Sequence, residues 1–333
     1  MDIKKFKTVI VFRPDRLGDF ILSVPAIKTI EASLSPGARL VIVTGNRGGE
    51  GKKIARLFFE KTEIISVDKN LFSFLAVMGY LLINHFDAAI DLHSYPFSMT
   101  SGMFTIASRA KVRVGFVQTG EKNEALAEKI YNQGVVLTDN NVNEKEKNML
   151  LALALGAVRN EAKENEALTP HLSEVVKAKA KTFYATCGIT EKDFVVGIHP
   201  TLKKKDNRWE QEKYKALIIE LKKNKNAVIV VVYGKGEDAE LESFKKITAD
   251  MDGVFIIPEN DIMSTLAYAA RFNVFVCNDS GIMHAIALVA PTIAIFGPTS
   301  PDRWKPSGKL LAVIRAQDHN PASVTVKDIL KFI

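Results

Sequence analysis

The sequence predicts an α/β protein with two parallel-sheet domains in tandem. Short runs rich in β-branched residues alternate with longer amphipathic stretches across residues 8–116, and the alternation restarts across residues 194–297. Strands and helices that alternate at this spacing are typical of a parallel sheet covered by helices on both faces. Because the alternation is interrupted once, we expect two sheets of the same architecture with a cleft between them.

The first half contains five predicted strands with helical patterns between them. A buried strand, TVIVF (8–12), is followed by the helix GDFILSVPAIKTIEASL (18–34). The remaining strands are RLVIVTG (39–45), IISVD (64–68), FDAAIDLH (86–93) and KVRVGF (111–116). Ligands of parallel sheets bind beyond the carboxyl ends of the strands, so the residues that follow these runs matter most.

A polar, helix-rich segment, residues 117–192, separates the halves, and its one strand-like run is QGVVL (133–137). We place the domain boundary there, with residues 1–175 in the N-terminal domain and 176–333 in the C-terminal domain. The later strands are FVVGIHP (194–200), AVIVVVYG (227–234), VFIIP (254–258), VFVCND (274–279) and TIAIFG (292–297), with helices predicted at 210–221, 237–247, 261–271 and 281–289.

Composition narrows the class of protein. With 47% hydrophobic and 25% charged residues, the 333-residue chain is expected to fold around sizeable cores. Cys187 and Cys277 are far apart and in no metal-like spacing, which argues against a disulfide framework or a zinc site and fits a reducing cytoplasm. The net charge of +7 indicates an anionic partner: a nucleotide, a nucleic acid or a membrane surface. Nucleic-acid binding rests on this charge alone, because no recognition motif accompanies it.

Neither export nor membrane insertion is predicted. The apolar run before Arg13 is too short for a signal peptide. The longest other apolar stretch, LFSFLAVMGYLLI (71–83), is shorter than a bilayer span. We therefore expect a cytoplasmic protein.

The segment RPDRLGDF (13–20) follows the first strand and leads into a helix. Gly18 allows backbone shapes that other residues disfavour, and the amides of the next helix would point at a ligand. Asp15 and Asp19 lie near that helix start. Such an acid can cap the helix and complement its dipole, or it can serve as a general base.

In the second half, GIHPTLKKKDNRW (197–209) occupies the corresponding place. His199 ends the strand and Thr201 offers a hydroxyl. The basic residues could clamp phosphate through charge-assisted hydrogen bonds, or form a solvated basic loop. These basic residues are Lys203, Lys204, Lys205 and Arg208.

Two further turns follow strands of the second half. In VVVYGKGEDAEL (230–241), Gly234 and Gly236 loosely resemble a nucleotide-binding turn, and Glu237 or Asp238 could meet ribose hydroxyls or cap the helix.

The second of these turns is NDSG (278–281). Asp279 and Ser280 can accept and donate hydrogen bonds. Gly281 can begin a helix whose free N–H groups favour a diphosphate, and His284 lies one turn further on.

Three segments together resemble glycosyltransferase family 9, the bacterial lipopolysaccharide heptosyltransferases: RPDRLGDFILSVPAIKTI, HPTLKKKDNRW and NDSGIMHAIALVAPTIAIFGPTSPDRW. The resemblance implies a GT-B fold, in which two Rossmann-like domains face a central cleft. It assigns the acceptor to the N-terminal domain and the nucleotide sugar to the C-terminal one. It also implies inverting, metal-independent transfer of heptose from ADP-L-glycero-D-manno-heptose to the inner core of lipopolysaccharide.

The resemblance gives roles to individual residues. Asp19 matches the catalytic base, which removes the proton of the acceptor hydroxyl, and Asp279 matches an acid that contacts the donor sugar. Family members commonly have a lysine where this chain has Asn207, so we expect Lys203, Lys205 or Arg208 to supply that charge. The predicted donor-binding residues are Thr201, Lys205, Asn207, Arg208, Gly234, Glu237, Asp238, Asp279, Ser280, Gly281 and His284.

On the acceptor side the prediction rests on a second strand end, DLHS (91–94), and on nearby basic residues. The basic residues could instead be exposed charges that flank a strand. A basic protein with an anionic, membrane-bound acceptor would work on the inner face of the cytoplasmic membrane as a peripheral protein. The predicted acceptor-binding residues are Arg16, Asp91, His93, Arg109 and Arg113, with Ser94 and Lys111 beside them.

Two other functions stay open at this point. The chain could be a family 9 transferase that uses another nucleotide sugar or a surface-glycan acceptor. It could also be a non-catalytic nucleotide-binding module, although the Gly18–Asp19 pair argues against that reading.

Overall fold

The computed structural model describes residues 1–46, 49–93, 95–117, 124–139 and 141–333, and the chain divides into two compact units. The first is Met1–Thr169 and the second is Pro170–Ile333. The boundary predicted between residues 175 and 176 falls in the first turn of helix α8 (Glu174–Thr186), which belongs to the second unit.

A six-stranded parallel sheet forms the centre of the first unit, in the order β3-β2-β1-β4-β5-β6. This order reverses between β1 and β4, which makes the carboxyl ends of those two strands a ligand-binding switch point. The register places Phe12 of β1 opposite Val43 of β2 and Asp91 of β4. The strands are β1 (Thr8–Arg13), β2 (Arg39–Gly45), β3 (Glu63–Val67), β4 (Ala88–Asp91), β5 (Val112–Phe116) and β6 (Gln133–Val135).

Helices and a short N-terminal 3-10 turn (Ile3–Lys5) cover this sheet. Side-chain caps begin several of the helices: Asn70 accepts a hydrogen bond from the Ser73 amide, and Ser98 accepts one from the Ser101 amide. The helices are α1 (Leu17–Ser33), α2 (Gly51–Arg56), α3 (Leu71–Ile83), α4 (Met99–Ala107), α5 (Glu124–Ile130), α6 (Glu144–Ala154) and α7 (Glu161–Ala167).

The second unit repeats the arrangement, with a parallel sheet in the order β12-β11-β10-β7-β8-β9. Its switch point therefore lies between β7 and β10. The strands are β7 (Val195–His199), β8 (Val228–Val231), β9 (Val254–Ile256), β10 (Val274–Asn278), β11 (Thr292–Phe296) and β12 (Leu310–Arg315). The helices after α8 are α9 (Gln211–Lys225), α10 (Asp238–Ile247), α11 (Ile262–Ala269), α12 (Gly281–Ile286), α13 (Pro301–Trp304) and α14 (Val326–Leu330), with 3-10 turns at Lys205–Asn207 and Pro321–Ser323.

A buried amide ties the ends of β7 and β10 together. Asn278 donates from Nδ2 to the His199 carbonyl at 3.2 Å and to the Tyr214 hydroxyl at 3.1 Å. Its Oδ1 accepts from the Trp209 amide at 2.6 Å, and the Trp209 indole is fully buried. Since Asn278 directly precedes the NDSG acid and Trp209 ends the basic loop, this core contact fixes both segments.

The prediction of two α/β domains with parallel sheets is confirmed, and each predicted strand overlaps an observed one. Strand β12 at the edge of the second sheet was not predicted. Across the described parts of the chain, no helix combines the length and the apolar character that a bilayer span requires.

Candidate functional site

Arg13, the last residue of β1, is the centre of the switch point in the first unit. Its guanidinium is 3% exposed, donates to the Leu92 carbonyl beyond β4, and lies 3.6 Å from Asp15 Oδ2. It also reaches the first turn of α1: Nε lies 3.3 Å from the Asp19 carbonyl and Nη2 lies 3.5 Å from Asp19 Oδ1. One buried cation thus joins three segments at the carboxyl edge of the sheet.

Asp19 lies in the first turn of α1, where sequence analysis expected the general base. Burial raises the pKa of its carboxyl above the usual range, while the charge of Arg13 opposes that rise. Asp15 and Glu144 add to the rise, and exposed Arg16, the residue that precedes α1, works against it. A carboxylate with a raised pKa is a stronger base than one in water, and Asp19 keeps part of its side chain open to solvent.

Asp91 is fully buried at the end of β4, so it cannot touch an acceptor directly. It accepts from the Tyr131 hydroxyl at 2.7 Å and from the His93 amide at 2.9 Å. Burial raises the pKa of Asp91 to about 7, against those hydrogen bonds and the charge of Arg13. Asp91 thus holds the backbone of His93, whose Nε2 lies 3.3 Å from Asp15 Oδ1, and a role of either residue toward the acceptor stays a prediction.

A buried ion pair on α6 stands near Asp19. Lys147 Nζ lies 3.1 Å from Glu144 Oε1, and both side chains are almost completely buried. Lys147 also lies over the Tyr95 ring, 4.9 Å from its centroid. Sequence analysis missed this pair, because α6 belongs to the polar segment that gave no local signal of a site.

Arg109 and Arg113 lie away from this site, which corrects their predicted acceptor role. Arg109 comes before β5, and Arg113 is the second residue of β5. Because the strands are parallel, residues that precede a strand lie at the opposite edge of the sheet from those that follow one. Arg109 donates to the Leu82 carbonyl, and Arg113 donates to the Ile130 carbonyl at 2.6 Å. Lys111 shares this edge, and Ser94 lies outside the described residues.

A cavity of about 620 Å³ opens beside the site in the first unit. Asp15 and His93 line it from the carboxyl ends of β1 and β4, and Asn70, Leu71 and Phe74 line it from the start of α3. The cavity is the right size for a sugar ring with its substituents.

Asp279 is the corresponding acid in the second unit, directly after β10. Its Oδ2 accepts from the Thr299 hydroxyl at 2.5 Å and from Asn207 Nδ2 at 3.2 Å. Burial raises the pKa of Asp279, while Thr299, the charge of Lys204 and Asn207 oppose that rise. Thr299 belongs to the FGPTSP segment, so this contact joins the last predicted strand end to NDSG.

Of the basic residues of the KKKDNRW loop, Lys204 is the one whose charge acts on Asp279. Lys203, Lys204 and Lys205 are all exposed, and Arg208 is partly buried. Asn207 is buried and hydrogen-bonded to Asp279, so it orients that carboxylate and carries no charge. The predicted role of Lys203, Lys205 or Arg208 toward a departing phosphate stays a prediction, and Lys204 joins these residues as a candidate.

Glu237 collects three donors on one oxygen, Oε2. They are Thr201 Oγ1 at 2.6 Å, the Gly234 amide at 2.7 Å and His199 Nε2 at 2.8 Å. Burial works to raise the pKa of Glu237, but the contacts with His199, Thr201 and Gly234 outweigh it and lower the pKa. Glu237 therefore holds the turns after β7 and β8 together, and its predicted ribose contact stays a prediction.

The same contacts bear on Thr201 and Gly234. Thr201 is fully buried and donates inward, so its hydroxyl is not presented to a phosphate in this structure. The Gly234 amide is likewise committed to Glu237. Neighbouring Asp238 is exposed at the start of α10, where it remains available to a ligand.

The residues of the NDSG helix differ in whether a ligand could reach them. Ser280 caps α12 by accepting from the Met283 amide at 3.3 Å, and Gly281 is its first residue. His284 is 4% exposed, and burial lowers its pKa to about 4, so it is neutral at neutral pH. Its Nδ1 has no hydrogen-bond partner among the described residues. His284 is thus uncharged at the start of the NDSG helix, and its donor-binding role stays a prediction.

Among the residues that the structure describes, no group of three or more His, Cys, Asp or Glu side chains could hold a metal ion. Metal-independent chemistry stays a prediction.

The chain is similar to known proteins in sequence and in fold. The model of a family described as glycosyltransferase family 9 (heptosyltransferase) matches residues 75–332. None of the curated proteins compared by sequence matches the chain.

Solved structures match the chain over nearly its full length. A glycosyltransferase family 9 protein from Veillonella parvula has a TM-score of 0.80 at 18% identity, over 100% of this chain and 97% of that one. E. coli heptosyltransferase WaaC, solved with ADP and with ADP-2-deoxy-2-fluoro heptose, has a TM-score of 0.72 at 19% identity over 98% of both chains. UDP-GlcNAc 2-epimerase from Neisseria meningitidis, bound to UDP-GlcNAc, has a TM-score of 0.53 at 12% identity over 97% and 91%. At these identities the likenesses establish the fold, and they confirm the GT-B-like class.

Proposed function

The chain belongs to glycosyltransferase family 9, and we propose that it transfers heptose from ADP-L-glycero-D-manno-heptose to the inner core of lipopolysaccharide. It is a glycosyltransferase, and the open questions are its donor, its acceptor and the roles of its residues. The observation that carries the proposal is Asp19, a carboxylate with a raised pKa that Arg13 holds at the switch point of the first sheet.

In the proposed reaction Asp19 acts as the general base. It takes the proton of an acceptor hydroxyl while the hydroxyl oxygen forms a bond to the anomeric carbon of the donor. The bond between that carbon and the diphosphate oxygen breaks on the opposite face, so the configuration inverts. Arg13 keeps the carboxylate oriented, and the raised pKa makes it a better proton acceptor near neutral pH.

In the second unit we assign the donor to the residues around Asp279. Its carboxylate accepts hydrogen bonds from Thr299 and Asn207, which hold it in position to contact hydroxyls of the sugar. Lys204 supplies positive charge for the diphosphate as it departs, and exposed Lys205, partly buried Arg208 and exposed Asp238 lie in the same set of turns. The amides at the start of α12 add weak positive potential only, because that helix has six residues.

Support for an adenine nucleotide comes from WaaC, a heptosyltransferase of the same fold that has been solved with ADP. Donor specificity in this fold is not fixed by architecture, since the 2-epimerase with the same arrangement is bound to UDP-GlcNAc. We propose that the protein acts in the cytoplasm on an acceptor at the inner face of the membrane.

The test is incubation of the purified protein with lipopolysaccharide core acceptor and ADP-heptose, with the product followed by mass spectrometry. We expect a mass increase of one heptose, and none for Asp19→Asn. Turnover of a different nucleotide sugar, with none of ADP-heptose, would contradict the proposed donor. Binding of ADP without transfer to any acceptor would favour the nucleotide-binding module.

A further inference from the structure

Helix α3 exposes an apolar face to solvent along its whole length. Its outward large side chains recur at helical spacing, and Phe72 and Ile83 are 85% and 79% exposed. Ala76 and Gly79 fill the positions between them. A helix on the surface of a soluble domain normally carries polar side chains on the side that faces solvent. An apolar side in that position therefore indicates an interaction surface. The exposed large residues are Leu71, Phe72, Leu75, Leu82 and Ile83.

Helix α4 extends this face. The Phe74 and Phe104 rings stack 5.2 Å apart and hold the two helices side by side. On its outward side α4 exposes Met99, Met103 and Ile106. Residues 71–83 and 99–107, all within the described part of the chain, include no charged side chain. We call the eight exposed large residues the α3–α4 face.

Basic residues border the α3–α4 face. Exposed Lys69 precedes α3, and Arg109 follows α4 and donates to the Leu82 carbonyl at the end of α3. Exposed Lys111 comes next. Two acids lie near the same border and keep their negative charge, so three cations stand beside two carboxylates. Asp68 accepts from Asn46 at 3.2 Å, and Asp87 accepts from the Lys7 and Thr8 amides at 2.7 and 3.0 Å. An apolar face with a basic border is complementary to an anionic bilayer surface.

The α3–α4 face adjoins the cavity of the first unit. Leu71 belongs to the face and also lines the cavity, and Thr100 of α4 lines it too. Asp15 and His93 line the same cavity from the catalytic edge. A molecule whose apolar tail lies against the face could therefore place its polar head beside the residues that Arg13 and Asp91 position.

We propose that the α3–α4 face docks the protein on an anionic lipid surface and sets the cavity at the level of the headgroups. With 13 residues, α3 is about 20 Å long, short of a bilayer core, so it would lie in the plane of the interface. The basic border favours this partner over a second copy of the same face, because an identical copy would bring like charges together. This docking rests on the proposed function in one respect only, because the proposed function identifies the acceptor that would enter the cavity.

The experiment is co-sedimentation of the full chain with phosphatidylglycerol–phosphatidylethanolamine vesicles and with phosphatidylcholine vesicles. We expect binding to the anionic vesicles that weakens with added salt, and a bound fraction lowered at least ~10-fold by the double variant F72D/I83D. The reverse-charge variant Lys111→Glu should weaken binding to a smaller extent. The control is Ile219→Asp, at an apolar position on α9 of the second unit that is 49% exposed, and it should bind as the wild type does.

Three results would overturn the proposal. They are no sedimentation of the wild type with anionic vesicles, equal binding by F72D/I83D, or a wild-type dimer that this variant dissociates while no vesicle binding is seen. Equal thermal unfolding and ADP affinity of variant and wild type would show that the fold is intact. Transfer to a water-soluble core oligosaccharide is measured in parallel: its failure in every variant contradicts the proposed function, whereas the vesicle result decides the docking alone.

Discussion

The guanidinium of Arg13 approaches Asp19 twice, with Nη2 3.5 Å from Oδ1 and Nε 3.3 Å from the backbone carbonyl. It also contacts Asp15 and the Leu92 carbonyl, and it is buried. The proposed base therefore depends on a side chain from the preceding strand for both its charge state and its orientation. A planar guanidinium has five donors in a fixed fork, which a lysine ammonium does not reproduce.

The first prediction is that Arg13→Lys lowers kcat about 100-fold. A lysine cannot make both contacts with Asp19, so the turn that carries the proposed base shifts out of position. The charge of Arg13 opposes the rise in the pKa of Asp19, so Arg13→Met should raise that pKa further. The acidic limb of the kcat/KM profile should then move to higher pH. Steady-state kinetics from pH 5 to pH 9 measure both effects.

The control for this prediction is Lys4→Arg, a change at an exposed residue of the N-terminal 3-10 turn. It should leave kcat within about threefold of the wild type, as surface substitutions usually do. An Arg13→Met enzyme with a wild-type rate and an unmoved pH profile would show that Arg13 has no part in the base.

The second prediction concerns Asp91, whose pKa burial raises from 3.8 to about 7. Below pH 4 the group is protonated in both states. Between pH 4 and pH 7 the unfolded chain ionises while the folded protein stays protonated, so the free energy of unfolding falls as the pH rises. The loss from this group amounts to about 4 kcal/mol, at 1.36 kcal/mol per pKa unit. Asp91→Asn should remove this part of the pH dependence.

Urea unfolding of the wild type and of Asp91→Asn at pH 5 and pH 8 shows how much the free energy of unfolding of each protein changes with pH. The control is Asp87→Asn. Burial works to raise the pKa of Asp87, but the Lys7 and Thr8 amides lower it, so the stabilisation from Asp87 is lost as the pH falls. That loss occurs below the ordinary aspartate pKa, so between pH 5 and pH 8 Asp87→Asn should keep the pH dependence of the wild type. A change as large as that of Asp91→Asn would contradict the assignment.

The third prediction separates two neighbouring lysines. Lys204 lowers the pKa of Asp279, and an exposed neighbour, Lys205, is not among the causes acting on that carboxyl. Lys204→Met should lower kcat about 10- to 100-fold, since one charge-assisted contact to a leaving phosphate contributes about 1.5–3 kcal/mol. Lys205→Met should change kcat less than about threefold. Rapid-quench kinetics with ADP-heptose report the chemical step, and equal losses in both variants would mean that the loop acts only through its total charge.

Sequence analysis located the strand ends that carry polar residues, because the carboxyl ends of parallel strands meet at one edge. It thereby placed Asp19 and Asp279 just after strands, where the structure has them, and their roles stay predictions. The sequence did not show whether each of these side chains faces a ligand or the core. Thr201 and His284, for example, are buried. Periodicity predicts an element, but burial depends on which other elements cover it.

Long-range partners left no local signal. Tyr131 comes to Asp91 from 40 residues away, and Thr299 comes to Asp279 from 20 residues away. Arg13 looked like the end of a strand, since nothing nearby in the chain shows that three segments converge on it. In the same way the apolar run at 71–83 was visible, but only the packing of α3 against α4 shows which side stays exposed.

The last prediction tests whether Glu237 is a structural or a ligand-binding residue. Its Oε2 accepts from Thr201, Gly234 and His199, so Glu237→Gln replaces a charged acceptor by a neutral one of the same shape. We expect the C-terminal unit to lose about 1–3 kcal/mol of stability and ADP affinity to change less than about threefold. Because the contacts lower the pKa of Glu237 against its burial, the stabilisation is lost as the pH falls. The deficit of the variant should therefore shrink under acid conditions.

Thermal unfolding from pH 4 to pH 8 and calorimetric titration with ADP decide between the two roles. The matched control is Asp238→Asn, which alters the adjacent exposed acid without touching the Thr201 and His199 contacts. Weakened ADP binding with unchanged stability in Glu237→Gln would restore the ribose contact that the sequence predicted. Weakened ADP binding in Asp238→Asn alone would assign the ribose contact to Asp238, whose side chain is exposed.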